Sequence, residues 1–369
     1  MKKINIRILL FAIIWGFSEN TAAQTILNAD GPGNTYELIN SVLAPNGGDV
    51  VESAECVHPE FGRHITEVWD ATLNQYVFAF HIHVTPDNDR CINFDRQRVE
   101  IKTYDTSPAN LKGVAGETVT YKWKFYVPVG YQPSSSFTHL HQIKAVGGDD
   151  SDPLFVLTAR KGTPNKMELN YYVDSDLSSE KLTSVNLSLF EGNWVEVTER
   201  VKISNTGGTY SIIIKNISTG ATVLSYSNNN LLTIRADNNF IRPKWGIYRS
   251  LLNSQALRDE IVLFNGFSIH EEQNTATFNP ADQGDNYLSV QQNNSSKQVD
   301  IEYNNSGLEN TKIQIINTKG QVINSIIPVQ QKGIQKLSLD LSHLNNNVYF
   351  ARLITYNSTN TVKFILAHH

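Results

Sequence analysis

The feature that most limits what this chain can become is alternation. The stretches YVFAFHIHV, RVEIKTY, TVTYKWKFYV, KMELNYYV, WVEVTERVKI, TYSIIIKNI and DEIVLFNGFSI switch between apolar and polar residues with a period near two. Successive strand side chains point to opposite faces, so this period suits strands with one buried face and does not suit a helix. Clusters such as TPDND, VGGDDSDP and SNTGGT supply the turn residues between them. Many short strands at close spacing predict an all-β fold, a two-sheet sandwich or β-jelly roll, over residues 24–272.

Outside that block the composition changes. Residues 1–23 read as a signal peptide: Lys2, Lys3 and Arg7, then the apolar run ILLFAIIWGF, then NTAAQ with small residues before a cut after Ala23. The run is short for a membrane span and no later segment is longer, so the expectation is an exported, monomeric protein with no membrane insertion. Export into an oxidising compartment makes a Cys56–Cys91 disulfide the expected state of the two cysteines. A formal net charge of -5, with no basic block, argues against a nucleic-acid partner.

Residues 273–286 lack an apolar pattern and read as a linker, and residues 287–369 form a second β unit rich in Asn, Gln and Ser. Its segments IINTKGQVI, LDLSHLNNNVYFARL and KFI resemble the C-terminal sorting domain that Bacteroidetes proteins carry for type IX secretion. Asn347 stands where that family usually has Gly, and Asn also tolerates positive φ. The resemblance implies a small β-sandwich read by the secretion machinery. The alternative is a carbohydrate-binding or adhesion module, but the spaced exposed aromatics of a sugar platform are missing.

Chemistry concentrates on three strands. Arg98, Glu100 and Lys102 alternate with Val99 and Ile101; Gln142 and Lys144 share one face while His139, His141 and Ile143 take the other; Lys244, Gly246 and Tyr248 share a face in FIRPKWGIYRS. A solvated outer sheet also alternates charged and apolar residues. Three such strands together resemble the jelly-roll polysaccharide lyases, which carry R-x-E-x-R, Q-x-H and K-x-G-x-Y strands in this order along one concave sheet. The lysine at position 144 where the second motif usually has histidine, with the FTHLHQIKAVGGDDSDP context and the sorting segment, is most similar to a secreted ulvan lyase.

That resemblance implies β-elimination on an anionic polysaccharide without a catalytic cofactor. Removing the C5 proton of a uronic acid requires its carboxylate to be neutralised, so cations and amides should face it. Gln142 and Arg98 are the expected donors, and arginine grips a carboxylate with two parallel hydrogen bonds. Tyr248 is expected to move protons at C5 and O4, with Lys144 as second catalytic group and Lys244 in support. Glu100, Lys102, Arg160, Asn170, Tyr172, Arg249 and His141 complete the expected substrate contacts. Gly246 either leaves room for a sugar or marks a bulge.

His139 and His141 lie out of phase with Gln142 and should face inward unless a bulge intervenes. His81 and His83 suggest a metal pair, but the neighbouring sequence offers no third or fourth ligand. Glu52, Asp70 and Asp259 are candidate ligands for a structural calcium tying the first and last strands, or simply solvated acids. A hydrolase would need a carboxylate pair, and Glu100 has no evident partner. Other polyuronates, namely glucuronan, alginate and heparin-like chains, are alternative substrates, and a non-catalytic carbohydrate-binding jelly roll is the alternative outside the enzymes.

Overall fold

The computed structural model describes residues 24–174, 179–272, 287–293, 298–305, 311–328, 333–355 and 359–366, so the expected signal peptide and linker lie outside the described residues. The alternating segments become strands as expected. They assemble into two antiparallel sheets facing each other across one core, a β-jelly roll.

One sheet runs, edge to edge, through Glu180–Asn186, Lys166–Tyr171, Phe155–Arg160, Thr138–Val146, Phe240–Ser250, Arg96–Lys102 and Val51–Glu52. The other runs through Thr222–Leu231, Gly208–Asn216, Trp194–Lys202, Thr118–Tyr126, Glu260–Glu272, Gln75–Ile82 and Ile65–Asp70, with Gln24–Leu27 pairing to Glu260–Glu272. Strands adjacent in space are often distant in sequence, which is how Arg96–Lys102 comes to lie beside Phe240–Ser250.

Alternation does what the sequence requires of it. Val99 and Ile101 pair with Ile247 and Trp245, and all four are fully buried between the sheets. Trp245 packs edge-on against Trp123 of the opposite sheet at 6.0 Å between ring centroids. Burying side chains of this kind contributes about 1.5–3 kcal/mol each, so truncating Trp245 to Ala would cost about 3–5 kcal/mol. The residues between them, Arg98, Glu100, Lys102, Lys244 and Tyr248, are thereby turned to the sheet's outer face.

The Cys56–Cys91 disulfide is present, with Cα atoms 6.3 Å apart. The helix Thr35–Leu43 buries Ile39 and Leu43, four residues apart on one face. The C-terminal unit has its own core, built around Val299, Ile301, Ile313, Ile315, Ala351 and Leu366. Its strands form one sheet of Leu288–Asn293, Gln298–Asn305 and Gly333–Asp340, and another of Val322–Ile326, Lys312–Asn317, Asn347–Ile354 and Thr359–Leu366.

Candidate active site

Strand pairing sorts the polar residues of the seven-stranded sheet into rows, because residues directly opposite each other in a ladder point the same way. Arg98, Tyr248, His139, Thr158 and Glu168 form one row. Lys102, Lys244, Gln142, Val156 and Asn170 form the next. Arg242 and Lys144 form a third.

The first two rows meet at a bulge. The ladder shifts register between Trp245 and Tyr248 against the Thr138–Val146 strand, and again between His139 and His141 against Phe155–Arg160. Gly246 makes the shift possible. Its φ is 142°, a conformation L side chains rarely adopt, and a Cβ there would overlap the Val99 carbonyl oxygen. The bulge reading of Gly246 is therefore the one observed.

The bulge also separates the two histidines. His141 points into the core, where its Nε2 lies 2.8 Å from the buried Glu199 carboxylate and its ring lies 4.2 Å from that of Trp123. It is not a substrate contact. His139, two residues earlier, is carried to the outer face, with its ring centroid 5.8 Å from that of Tyr248 and 4.8 Å from that of Phe137. Burial pushes its pKa down to about 3, so the ring is neutral, and its Nδ1 has no hydrogen-bond partner.

Tyr248 is held from two sides. Arg96 Nη1 donates to its hydroxyl oxygen at 3.0 Å, and the Arg98 guanidinium lies over its ring at 3.7 Å. The cations beside the phenol are thus arginines of the neighbouring strand, not the lysines expected from the sequence. Lys144 lies five positions along its strand from His139, Tyr248's partner, on the order of 15 Å at ordinary strand rise. Its ammonium donates to the Asp150 and Ser151 carbonyls at 2.6 and 2.8 Å, so it does not share a proton relay with Tyr248.

Arg98 does not present a free fork. Its Nε donates to Asp89 at 2.8 Å and its Nη1 to Glu100 at 2.7 Å, with Glu52 at 3.4 Å. Its observed work is to fix the Tyr248 ring, not to offer two open donors to a ligand carboxylate. Glu100, fully buried, is the hub: it also pairs with Lys244 at 2.7 Å and accepts from Gln142 Nε2 at 2.5 Å. Burial alone would raise the Glu100 carboxyl, but Lys244 and Arg98 outweigh it and hold it well below the usual carboxylate range.

Glu52 joins the same network, pairing with Lys244 at 2.5 Å, Lys102 at 2.7 Å and Arg90 at 2.8 Å. This overturns the calcium assignment. Asp70 sits at the far end of the Ile65–Asp70 and Gln75–Ile82 hairpin, accepting from Trp194 Nε1 at 3.0 Å, whereas Asp259 caps Val84 N at the other end at 2.8 Å. Glu52 belongs to the opposite sheet. The three carboxylates do not converge on one ion.

Arg249 is a second correction: it is fully buried on the inner side, donating to Gln97 Oε1 at 2.7 and 3.0 Å. Arg160 stays at the site's margin, bound to Glu168 at 2.9 Å and to the Ser136 carbonyl. Asn170 is buried with an unpartnered Oδ1 in the Gln142 row, and Tyr172 follows it in the same phase just beyond the strand.

Arg242 went unnoticed in the sequence although it lies in phase with Lys244. It is 5% exposed and stacks on Tyr104 at 4.8 Å, and its Nε and Nη1 have no hydrogen-bond partner. Arg96 was missed in the same way, one step ahead of Arg98 in phase. Together Arg90, Arg98, Lys102, Lys144, Arg242 and Lys244 outnumber Glu52, Asp89, Glu100 and Asp150, so this face carries surplus positive charge.

Comparison with known proteins gives three results. No curated protein matches the chain. Solved structures that resemble it include an endo-β-1,4-glucuronan lyase from the fungus Trichoderma reesei, at 16% identity over 56% of this chain and 87% of that one, TM-score 0.41. Alginate lyases from Pseudomonas aeruginosa (12% identity, 59% and 91% covered, TM-score 0.38) and Klebsiella pneumoniae (10%, 56% and 84%, TM-score 0.41) also resemble it. Residues 293–367, which span most of the C-terminal unit, match the family described as a secretion system C-terminal sorting domain.

Proposed function

We propose that the protein is an exported polysaccharide lyase that cleaves a polyuronate by β-elimination. The observation that carries this reading is the row Arg98–Tyr248–His139, in which a clamped phenol stands beside a neutral imidazole whose Nδ1 has no hydrogen-bond partner, on a cationic face. Elimination takes the proton from C5, forms the C4–C5 double bond, and expels O4 with its electron pair, which then accepts a proton. Tyr248 is the group that moves these protons. As phenolate, stabilised by the Arg96 N–H that donates to its oxygen, it takes the C5 proton and returns it to O4, while the neutral His139, its ring 5.8 Å from that of Tyr248, supplies a hydrogen-bonding group beside the reacting sugar.

Charge on the substrate is met by the neighbouring rows. The second amide hydrogen of Gln142, and the Nε and Nη1 hydrogens of Arg242, are suited to the uronate carboxylate and to a further anionic group. A sulfated substrate fits this supply of donors, and Lys144 in place of the usual histidine, with its FTHLHQIKAVGGDDSDP context and the sorting segment, makes ulvan the proposed polymer. A two-carboxylate hydrolysis has less support, because Glu100 is saturated by cations and Glu168 is paired with Arg160 and Lys181.

The signal peptide and the sorting unit together support export through the type IX machinery. Mass analysis of the products tests the reaction: elimination gives uronyl ends lighter by one water than hydrolysis products. Products of hydrolytic mass, or no cleavage of ulvan, glucuronan, alginate and heparin, would overturn the proposal.

A further inference from the structure

A second constellation lies beside the Arg96–Lys102 strand. His58, His64, His83 and Asp87 come from three separate segments, and their ligand-type atoms all lie within 4.8 Å of one another. Asp87 Oδ1 is 2.7 Å from His58 Nδ1 and 3.1 Å from His64 Nε2, and its Oδ2 is 3.1 Å from His83 Nδ1 and 2.7 Å from the His83 backbone nitrogen. Asp87 is 2% exposed and His64 is fully buried. One imidazole would satisfy a buried carboxylate; three converging on it make a donor set. We propose that these four residues bind a zinc ion, and that the site is structural.

The geometry and surroundings support that assignment. Zinc bound at about 2.0–2.1 Å in a tetrahedron sets its ligand atoms about 3.3 Å apart; Asp87 lies 2.7 to 3.1 Å from the three imidazole nitrogens, and all four ligand atoms fall within 4.8 Å of one another. His64 Nδ1 is 3.1 Å from the Gly62 carbonyl, which fixes the tautomer that leaves Nε2 free to ligate. Gln97 donates to the His83 and Asp87 carbonyls and so holds both ligand-bearing backbones. Phe61 covers the cluster, its ring 4.9 Å from that of His64 and 4.3 Å from that of His83. The Cys56–Cys91 disulfide ties the His58 segment to the one following Asp87. Three imidazoles and one carboxylate fill a four-coordinate shell, and nitrogen-rich donors favour zinc over calcium or magnesium. His81, the other half of the sequence pair, is turned away to Thr66 Oγ1 at 2.9 Å.

The site bears on the chemistry only through position. Asp89, two residues after Asp87, anchors Arg98 at 2.8 Å, and Arg98 holds Tyr248. A bound ion therefore pins the turn on which the Tyr248 clamp depends, whatever reaction that site performs.

The test uses full-length mature protein purified without metal-chelating resin. Elemental analysis should find about one zinc per chain, and protein stripped with dipicolinate should lose thermal stability and regain it on adding zinc chloride but not calcium or magnesium chloride. Cobalt loading of the stripped protein should give the intense visible bands of a tetrahedral site. The partly exposed His58→Ala should bind zinc at least about tenfold more weakly in calorimetry, whereas His81→Ala should bind like the wild type. Stripped, folded wild type that binds zinc no better than His58→Ala, or that calcium restores equally, would overturn the assignment.

Discussion

Replacing Glu100 by glutamine tests whether the buried charge network is what organises the site. The substitution keeps the shape of the side chain and one carbonyl oxygen but removes the negative charge that Lys244 and Arg98 each approach to 2.7 Å. It also turns one acceptor into a donor facing donors. Glu100 is 0% exposed, so no water can replace what is lost. Removing one partner of a buried ionic cluster costs about 3–5 kcal/mol, because the remaining charge stays desolvated. For a domain of this size each kcal/mol lowers Tm by about 2–4 °C, giving a fall of about 10 °C. Thermal unfolding followed by near-ultraviolet circular dichroism would measure it, with Glu37→Gln as control, since the Glu37–Arg63 pair is exposed and its loss should leave Tm unchanged. A Glu100→Gln protein within about 2 °C of the wild type would refute the view that this network is held together by its central carboxylate.

Further outcomes follow from the same geometry. His139→Asn should lower kcat by about 10²–10⁴ with little change in KM, measured by initial rates on the cleaved polymer; an unchanged kcat would remove His139 from the reaction. Lys144 has its pKa lowered to about 8 by burial and by Lys244 and Arg242, so it is charged below that pH and neutral above it. KM for an anionic polymer should therefore rise as pH passes through about 8, and Lys144→Arg, which stays charged, should flatten that limb. Arg242→Gln should raise KM for a sulfated substrate about tenfold while leaving the desulfated polymer nearly unaffected.

The fold was largely legible because alternation is a local property of the chain. Val99, Ile101, Trp245 and Ile247 announce their burial by spacing alone, and the disulfide follows from compartment and cysteine count. The site was legible only in part. Arg98, Glu100, Lys102, Gln142, Lys244 and Tyr248 do share one face, as their phases indicate. What phase could not show was the bulge between His139 and His141, opposite Gly246, which reverses one histidine relative to the other, or the register that sets Lys144 against Arg242, far from Tyr248. Nor could it show pairing partners: Glu52 reads as an isolated acid in sequence and becomes the counter-ion of Lys244 only when Val51–Glu52 joins the sheet edge. The His58, His64, His83 and Asp87 cluster is hidden for the same reason, since its members are brought together by loops and not by spacing. Arg96 and Arg242 were within reach of phase analysis and would have been found by extending each motif by one alternate position.

The central claim is that Tyr248 moves the protons of an elimination on a uronate polymer. Its hydroxyl can be removed while the ring stays under Arg98, so Tyr248→Phe separates chemistry from binding. The decisive measurement is near-ultraviolet absorbance during incubation with ulvan, for wild type and Tyr248→Phe side by side, with polymer binding of both measured by calorimetry. The account predicts a steady rise for the wild type from the new conjugated double bond, and no rise for Tyr248→Phe with binding retained; equal rises for both proteins, or none for the wild type, would contradict it.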